Sequence, residues 1–434
     1  MNDFLFARSQ MGMSLAFHII FAALGIGMPL LMAIAEGLYL RTGQPVYLDL
    51  SKRWAKGTAI LFAVGAVSGT VLSFELGLLW PAFMAMAGSI IGMPFSLEGF
   101  AFFTEAIFIG LYLYGWKKLP PVVHWLCGVV VAVSGIFSGI FVVTANAWMN
   151  APAGFKVVNG KVTGIDPIAA MLNAASLHEV LHMTLAAFVA TGMAVAAVHA
   201  FFLLRDRSSQ FHRAALGITL AVGCISIPLQ IVSGDLSARS VAKLQPAKLA
   251  AMEAHFQTGP AAPLLIGGIP DDATMKTDYA IAIPSGLSLL LTDSVNGKVT
   301  GLDAFPKKDW PNVRLVHWSF DLMVGAGMAL LGLSAIAGWL WWKSRRVPDQ
   351  TWFLWSVVAA GPLGFVAIET GWMVTELGRQ PWIVYGFMRT AEAVTPMTGM
   401  VVPFVSFTVL YVFLAVIVVF LLKRQFLDTP EPVV

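Results

Sequence analysis

Residues 178–182 read HEVLH, two histidines four apart with a glutamate between them. That spacing puts both imidazoles on one helical face, where they could hold zinc with Glu179 as general base. A second chemistry is open to the same His182. Haem iron takes histidine, methionine and, more rarely, oxygen ligands, and a His plus Met pair gives a low-spin, electron-transferring haem. His182 with Met323 would make such a pair, and His18 and Glu369 could each anchor a haem with an open position for dioxygen. Glu75, Glu98 and Glu105 complete the set of ionisable groups in apolar sequence. The last two are seven apart, on one helical face and separated by roughly 10 Å of rise. Taken singly, each residue has a plainer reading. A methionine in an apolar helix usually packs, a histidine or glutamate near a helix start can be solvated by headgroup water, and Glu75 near Trp80 and Pro81 can mark an interface. His124, His199 and His212 receive no role.

The elements that must position these groups follow from composition. Of 434 residues, 58% are hydrophobic and 12% charged, with a mean hydropathy of +0.77, too little polar surface to cover a soluble globule of this size. The net charge of +3 comes without a basic run or an aromatic-interleaved patch, so no nucleic-acid partner is implied. Cys127 and Cys224 lie in separate apolar stretches, without spacing for a disulfide framework or covalent haem attachment, and read as packing residues. Apolar runs near the length that crosses a bilayer predict an all-α, polytopic membrane bundle. Nine helices are expected, near residues 14–40, 57–79, 97–116, 122–146, 178–204, 214–234, 315–342, 352–375 and 396–422. The first could be taken for a signal peptide, but it is too long and contains His18. The whole chain, 1–434, reads as one membrane domain, and within it 235–314 is a large external loop.

Orientation follows from alternate loops. Lys and Arg collect after the first, third, fifth, seventh and ninth runs, including Arg41, Lys52, Arg53, Lys117, Arg205, Lys343 and Lys423. That bias predicts an N-terminus outside and a cytoplasmic C-terminus. His18, Glu75, Glu98, Glu105, His178, His182, Asp321, Met323 and Glu369 then share the outer half of the bilayer. Buried ionisable groups are costly in hydrocarbon and usually face a bundle interior with a partner, so their shared depth points to one polar or cofactor-filled site. Zinc peptidase chemistry lacks an obvious third ligand unless a distant carboxylate such as Glu369 is recruited. A transporter would show paired broken helices and symmetry between halves, and none is evident. A b-type electron-transfer subunit would use His182 and Met323 but leave His18 and Glu369 unexplained.

His18 in LAFHIIF, Glu98 and Glu105 in SLEGFAFFTEA, His182, Met323 in SFDLM, and ETGW followed by GRQPW occur in an order that resembles subunit I of the cytochrome bd-type quinol oxidases. The resemblance covers essentially the whole chain, including nine helices. It implies a bacterial cytoplasmic (inner) membrane protein with two b-type haems and a third haem, d or b. His182 and Met323 match the ligands of the low-spin haem. His18 and Glu369 match the anchors of the oxygen-reducing pair, with the oxygen-binding member left open. Arg379 and Trp382 of GRQPW match cofactor-binding positions. AKLAAMEAHF followed by GGIPD resembles the family's quinol-binding loop in its short form, with Lys248 and Glu253 in the positions implicated in oxidation of ubiquinol or menaquinol. On chemistry alone that segment reads as exposed and solvated. Lys248 and Glu253 are five apart, not the three or four of a helix ion pair, so each has a separate task. The implied reaction releases quinol protons outside and reduces dioxygen with cytoplasmic protons that pass Glu98 and Glu105. A second membrane subunit, with or without a small single-helix one, is the implied partner within the lipid bilayer. Asp321 departs from the family pattern, which often has Arg two residues before the methionine. It reads either as a helix-start carboxylate favoured by the backbone dipole or as a charge that tunes the haem.

Overall fold

The computed structural model describes residues 3–426, so the expected cytoplasmic C-terminus lies outside the described residues. Helices appear in the order α1 (Asp3–Thr42), α2 (Pro45–Leu79), α3 (Pro81–Gly115), α4 (Pro121–Asn150), α5 (Pro167–Met171), α6 (Ser176–Arg205), α7 (Gln210–Leu244), α8 (Pro246–Met252), α9 (Gly286–Thr292), α10 (Val313–Ser344), α11 (Thr351–Ala360), α12 (Leu363–Arg379), α13 (Thr390–Ala393) and α14 (Val401–Phe426). Among the described residues nine spans are long and apolar enough to cross a membrane, with α11 and α12 forming one of them. The fold is a polytopic membrane bundle.

Several helices are longer than their apolar runs. α1 begins at Asp3 and α3 at Pro81, so His18 does not begin its helix and Glu98 and Glu105 do not open theirs. Apolar length measures what hydrocarbon must cover, whereas a helix continues as long as its backbone bonds and one face stay satisfied. The extension of α3 buries Phe83, Ala87, Ile90 and Ile91 against Ala7 of α1, Trp148 of α4 and Val384. Prolines at the first turns of α2, α3 and α4 set these starts, because the N–H a proline lacks has no partner there. Conversely the eighth span is broken at Gly361–Pro362, where proline cannot donate to the preceding turn.

Connections at one end of the bundle are short: 43–44, 116–120, 206–209 and 345–350. At the other end lies the long connection 245–312, since α7 continues to Leu244. It carries α8, α9 and short antiparallel pairings, Leu264–Ile266 with Ile281–Ile283 and Ile269–Asp271 with Lys276–Asp278. Leu249, Ala250, Ala251 and Met252 of α8 are buried with Val313 and Val316 of α10 and Val374 of α12. The connection is thereby seated on the bundle. Where α1, α4, α6 and α12 meet, Ala23, Ile26, Ala187, Ala190 and Ile368 form a buried cluster, with Ile19, Ile136, Met183 and Trp372 packed against it. These residues are sequence neighbours of His18, His182 and Glu369.

Candidate functional site

His18 and His182 are held by the same device on different helix pairs. His18 Nδ1 lies 2.9 Å from Ser68 Oγ of α2, and Ser68 Oγ itself donates to the Val64 carbonyl at 2.9 Å. The hydroxyl's proton is thus spent, and Ser68 accepts from Nδ1–H. His182 Nδ1 lies 2.9 Å from Ser233 Oγ of α7, which donates to the Gln230 carbonyl at 2.9 Å. In both rings Nε2 is therefore the nitrogen with the lone pair, the tautomer a metal-binding imidazole needs. Each serine precedes a glycine over which the ring lies. A Cβ on Gly69 would stand 3.0 Å from His18 Cε1, and one on Gly234 3.4 Å from His182 Cε1.

The third and fourth donors sit on the neighbouring helices. A Cβ on Gly371 would meet Met323 Sδ at 3.0 Å, which places the thioether of α10 against α12, one half-turn past Glu369. Glu369 Oε1 is buried without a hydrogen-bond partner among the described residues, an expensive arrangement unless a ligand completes it. Two imidazoles with the lone pair on Nε2, a thioether and an orphaned carboxyl oxygen fit haem iron as a donor set. Gln230 Nε2 lies 3.0 Å from His182 Nε2, so the Gln230 side chain must turn aside for a metal to bind there.

Both carboxylates on α3 face α4. Glu105 is 5% exposed, and its oxygens lie 3.6 Å from where a Cβ on Gly135 of α4 would be. Glu98 is half-buried and hydrogen-bonds to Ser138 of α4. Glu75 accepts from Gln10 and Ser14 of α1, each at 2.9 Å, deep inside the protein. The interfacial reading of Glu75 gives way to an anchored α1–α2 contact.

The segment with Lys248 and Glu253 departs most from expectation: both are buried, at 4% and 2% exposed. The reason is α8, whose apolar face carries them into the bundle. Lys248 Nζ donates to the Thr375 carbonyl of α12 at 3.3 Å, and its stem fills the space a Cβ on Gly378 would take, 2.8 Å from Lys248 Cγ. Burial lowers the Lys248 ammonium to about 8, with Arg379 pulling the same way and Glu179 and Glu376 opposing. Glu253 is raised to about 8, first by burial and then by the Asp321 carboxylate. The two residues thus belong to different surroundings, one facing α12 and one facing α10.

Arg379, 2% exposed, donates to Asn150 Oδ1 at 3.0 Å and to Glu376, while its Nε has no partner among the described residues. Asn150 also donates to Glu179 at 2.8 Å. Glu179 thus belongs to this polar cluster, and no group of three or more His, Cys, Asp or Glu suited to a metal is assembled among the described residues. The HEVLH segment finds no third zinc ligand. Trp382 stands apart, its ring under the Arg389 guanidinium at 4.8 Å.

Asp321 does not cap α10, since Asn312 does, accepting from Leu315 N. Asp321 Oδ2 instead accepts from Gly267 N at 2.7 Å, beside His317, which lies 2.7 Å from the Met252 carbonyl and 3.0 Å from the Gly267 carbonyl. His317 and Asp321 therefore tie both arms of the long connection to α10. Sequence reasoning passed over His317, Ser68, Ser233, Asn150 and Glu376. One signal was available: the tripeptide VSG occurs at 67–69, 133–135 and 232–234, and its glycines meet His18, Glu105 and His182 in turn.

The profile of the family described as cytochrome bd terminal oxidase subunit I matches residues 6–430. A Bacillus subtilis (strain 168) chain, provisionally assigned as a cytochrome bd menaquinol oxidase subunit I, is 38% identical over 99% of this chain and 98% of its own. Cytochrome bd ubiquinol oxidase subunit 1 of the same organism is 33% identical over 98% and 94%. The bd oxidase structure from Geobacillus thermodenitrificans superposes with a TM-score of 0.93 at 37% identity, covering 99% of each chain.

Proposed function

The chain belongs to the cytochrome bd terminal oxidase subunit I family, and from that premise we propose which of its residues carry out each part of the work. It is an integral membrane quinol oxidase subunit that uses haem, in a reaction where two quinols give four electrons and four protons, and one dioxygen takes up four of each to give two waters.

His182 and Met323 hold a low-spin b-type haem, and His18 and Glu369 anchor a second b haem and a third, d or b. When bound, these groups supply electron transfer and oxygen chemistry, while the protein supplies ligands, dielectric and routes. The observation that carries the assignment is the matched Nδ1–serine contact of His18 and His182, which leaves Nε2 available on both, together with the partnerless Glu369 oxygen. Arg379, whose Nε has no partner among the described residues and whose neighbours are Lys248 and Asn150, offers positive charge for haem carboxylates, and Trp382, its ring under the Arg389 guanidinium, is the second cofactor-facing residue of GRQPW.

Quinol is oxidised at the connection 245–312, the extracytoplasmic segment of a single membrane domain. Glu253, its carboxyl raised to about 8, is the base that takes a quinol proton, in the carboxylate form that grows as pH rises towards that value. Lys248, held against α12, steadies the quinol oxygen on the haem side. Relatives are named for both menaquinol and ubiquinol, and a quinol of either kind suits these groups. Protons for oxygen reduction arrive from the opposite, cytoplasmic side past Glu105 and Glu98. This side is assigned from the Lys and Arg residues of the short connections. The N-terminus is then outside a bacterial cytoplasmic membrane. Phe100, Phe103 and Ile107 of α3 are exposed, a face suited to a second membrane subunit, with a small single-helix subunit as a further partner.

The test is the Met323→Leu protein, which keeps volume and removes the thioether. Loss of the low-spin absorption bands with the other haem bands retained supports the assignment, and unchanged low-spin bands contradict it.

A further inference from the structure

We propose that the buried pair of Glu36 on α1 and His124 on α4 is the proton-loading point that supplies Glu105 from the cytoplasmic end, an inference that rests on the oxidase reading above. The two side chains are 4% and 3% exposed, with His124 Nδ1 2.7 Å from Glu36 Oε1. His124 Nε2 lies 2.9 Å from the Tyr112 backbone carbonyl, which can only accept, so Nε2 carries a proton. One proton then remains for the Nδ1 and Oε1 contact. It sits either on the imidazole beside a carboxylate or on the carboxyl beside a neutral imidazole, and it can be received or passed on without moving a side chain. Glu36 Oε2 is buried with no hydrogen-bond partner among the described residues, which leaves an acceptor in reserve.

The other polar and titratable groups around the pair come from each packed helix. Tyr112 of α3 places its hydroxyl 2.6 Å from Ser51 of α2 and within hydrogen-bonding and electrostatic reach of Glu36 itself, and the Ser51 hydroxyl lies 3.3 Å from the Met32 carbonyl of α1. Cys127 of α4 lies within electrostatic reach of Glu36. Trp116, just past the end of α3, covers His124 at 4.0 Å between ring centroids, and the Lys52 ammonium of α2 lies over the Trp116 ring at 5.6 Å. A contact that merely knitted α1 to α4 would need no ionisable pair, and burying one is costly.

The pair is in line with Glu105. Glu98, Glu105 and Tyr112 recur at seven-residue intervals on α3, and the facing side of α4 presents Gly135 to Glu105 and Gly128 to the Tyr112 ring, with His124 one turn further on. Glu105 and Tyr112 are separated by about 10 Å of helix rise, a gap that a short file of water molecules bridges. Each proton passed towards Glu105 leaves the pair one short and is replaced from water at the cytoplasmic end. Only N–H and O–H bonds are exchanged and no electron moves.

Glu36→Gln keeps a hydrogen-bonding partner for His124 and removes the transferable proton. The expected result is unchanged haem spectra, unchanged anaerobic reduction of haem by quinol, and steady-state oxygen consumption lowered at least about tenfold. Glu36→Asp should recover part of the rate with a displaced pH–rate profile. Wild-type turnover and an unaltered profile in Glu36→Gln overturn the proposal alone. If that variant loses its haems, Glu36→Asp decides, and an unchanged pH–rate profile there overturns it. A wild-type protein that reduces no oxygen with quinol overturns the oxidase reading, and this inference with it.

Discussion

The site inside the bundle and the site under the long connection hold ionisable groups by opposite means. In the bundle, His18 and His182 each have one serine and one glycine from a neighbouring helix, and Glu369 Oε1 has no partner among the described residues. Under the connection, Lys248, Arg379, Glu376, Asn150 and Glu179 form a polar cluster linked by hydrogen bonds and mutual charge. The first arrangement leaves donor atoms open for a large planar cofactor. The second is largely satisfied within the protein and lowers the Lys248 ammonium to about 8, into the range that proton exchange with a small substrate requires. Open ligand atoms and proton poise are thus separate properties, although α6 and α12 contribute residues to both.

That contrast can be broken at several points. The largest effect is expected for Glu369→Ala, which should abolish oxygen consumption while quinol still reduces the His182/Met323 haem anaerobically. Full oxygen consumption in that variant would remove Glu369 from the site. Glu253→Gln should slow quinol oxidation by about a hundredfold or more, the usual range for loss of a general base, with haem content intact. A smaller effect is expected for Ser68→Ala and Ser233→Ala, which free Nδ1 of each ligand. Haem retention should fall about 10- to 100-fold, as for other groups that orient metal ligands, and retention equal to wild type would reduce the serines to packing.

The smallest effect tests the border between the two regions. Asp321 raises Glu253, so Asp321→Asn should lower the Glu253 pKa. Quinol oxidation, which needs the Glu253 carboxylate, rises with pH through that value, and the rise should move to lower pH. The lost negative charge should also raise the low-spin haem midpoint by roughly tens of millivolts, an order-of-magnitude Coulomb figure. A pH profile and a potential that both stay put would confine Asp321 to tying Gly267 to α10.

The bundle site was legible because a charge or an imidazole in apolar sequence has few cheap explanations, so His18, His182, Glu105 and Glu369 stood out against their helices. The depth of Glu98 and Glu105 within α3 was less legible. Residues 81–96 are apolar but interrupted by glycine and proline, and their helix is secured by packing on α1, α4 and Val384, which no local pattern reveals. Burial of Lys248 and Glu253 was not legible at all. A short helix that carries a lysine in a loop becomes interior only because α10 and α12 cover it. His317 escaped notice for the same reason, since both of its partners are backbone carbonyls distant in sequence. His124 was passed over because Glu36, its partner, lies 88 residues away.

His18, His182, Met323 and Glu369 are proposed as the iron ligands of this quinol oxidase subunit. The most direct measurement is a reduced-minus-oxidised difference spectrum of the purified membrane protein, followed by carbon monoxide addition to the reduced form. The account predicts several haems, one low-spin and unaffected by carbon monoxide and at least one that binds it. A protein without haem bands, or with a single haem indifferent to carbon monoxide, would contradict it.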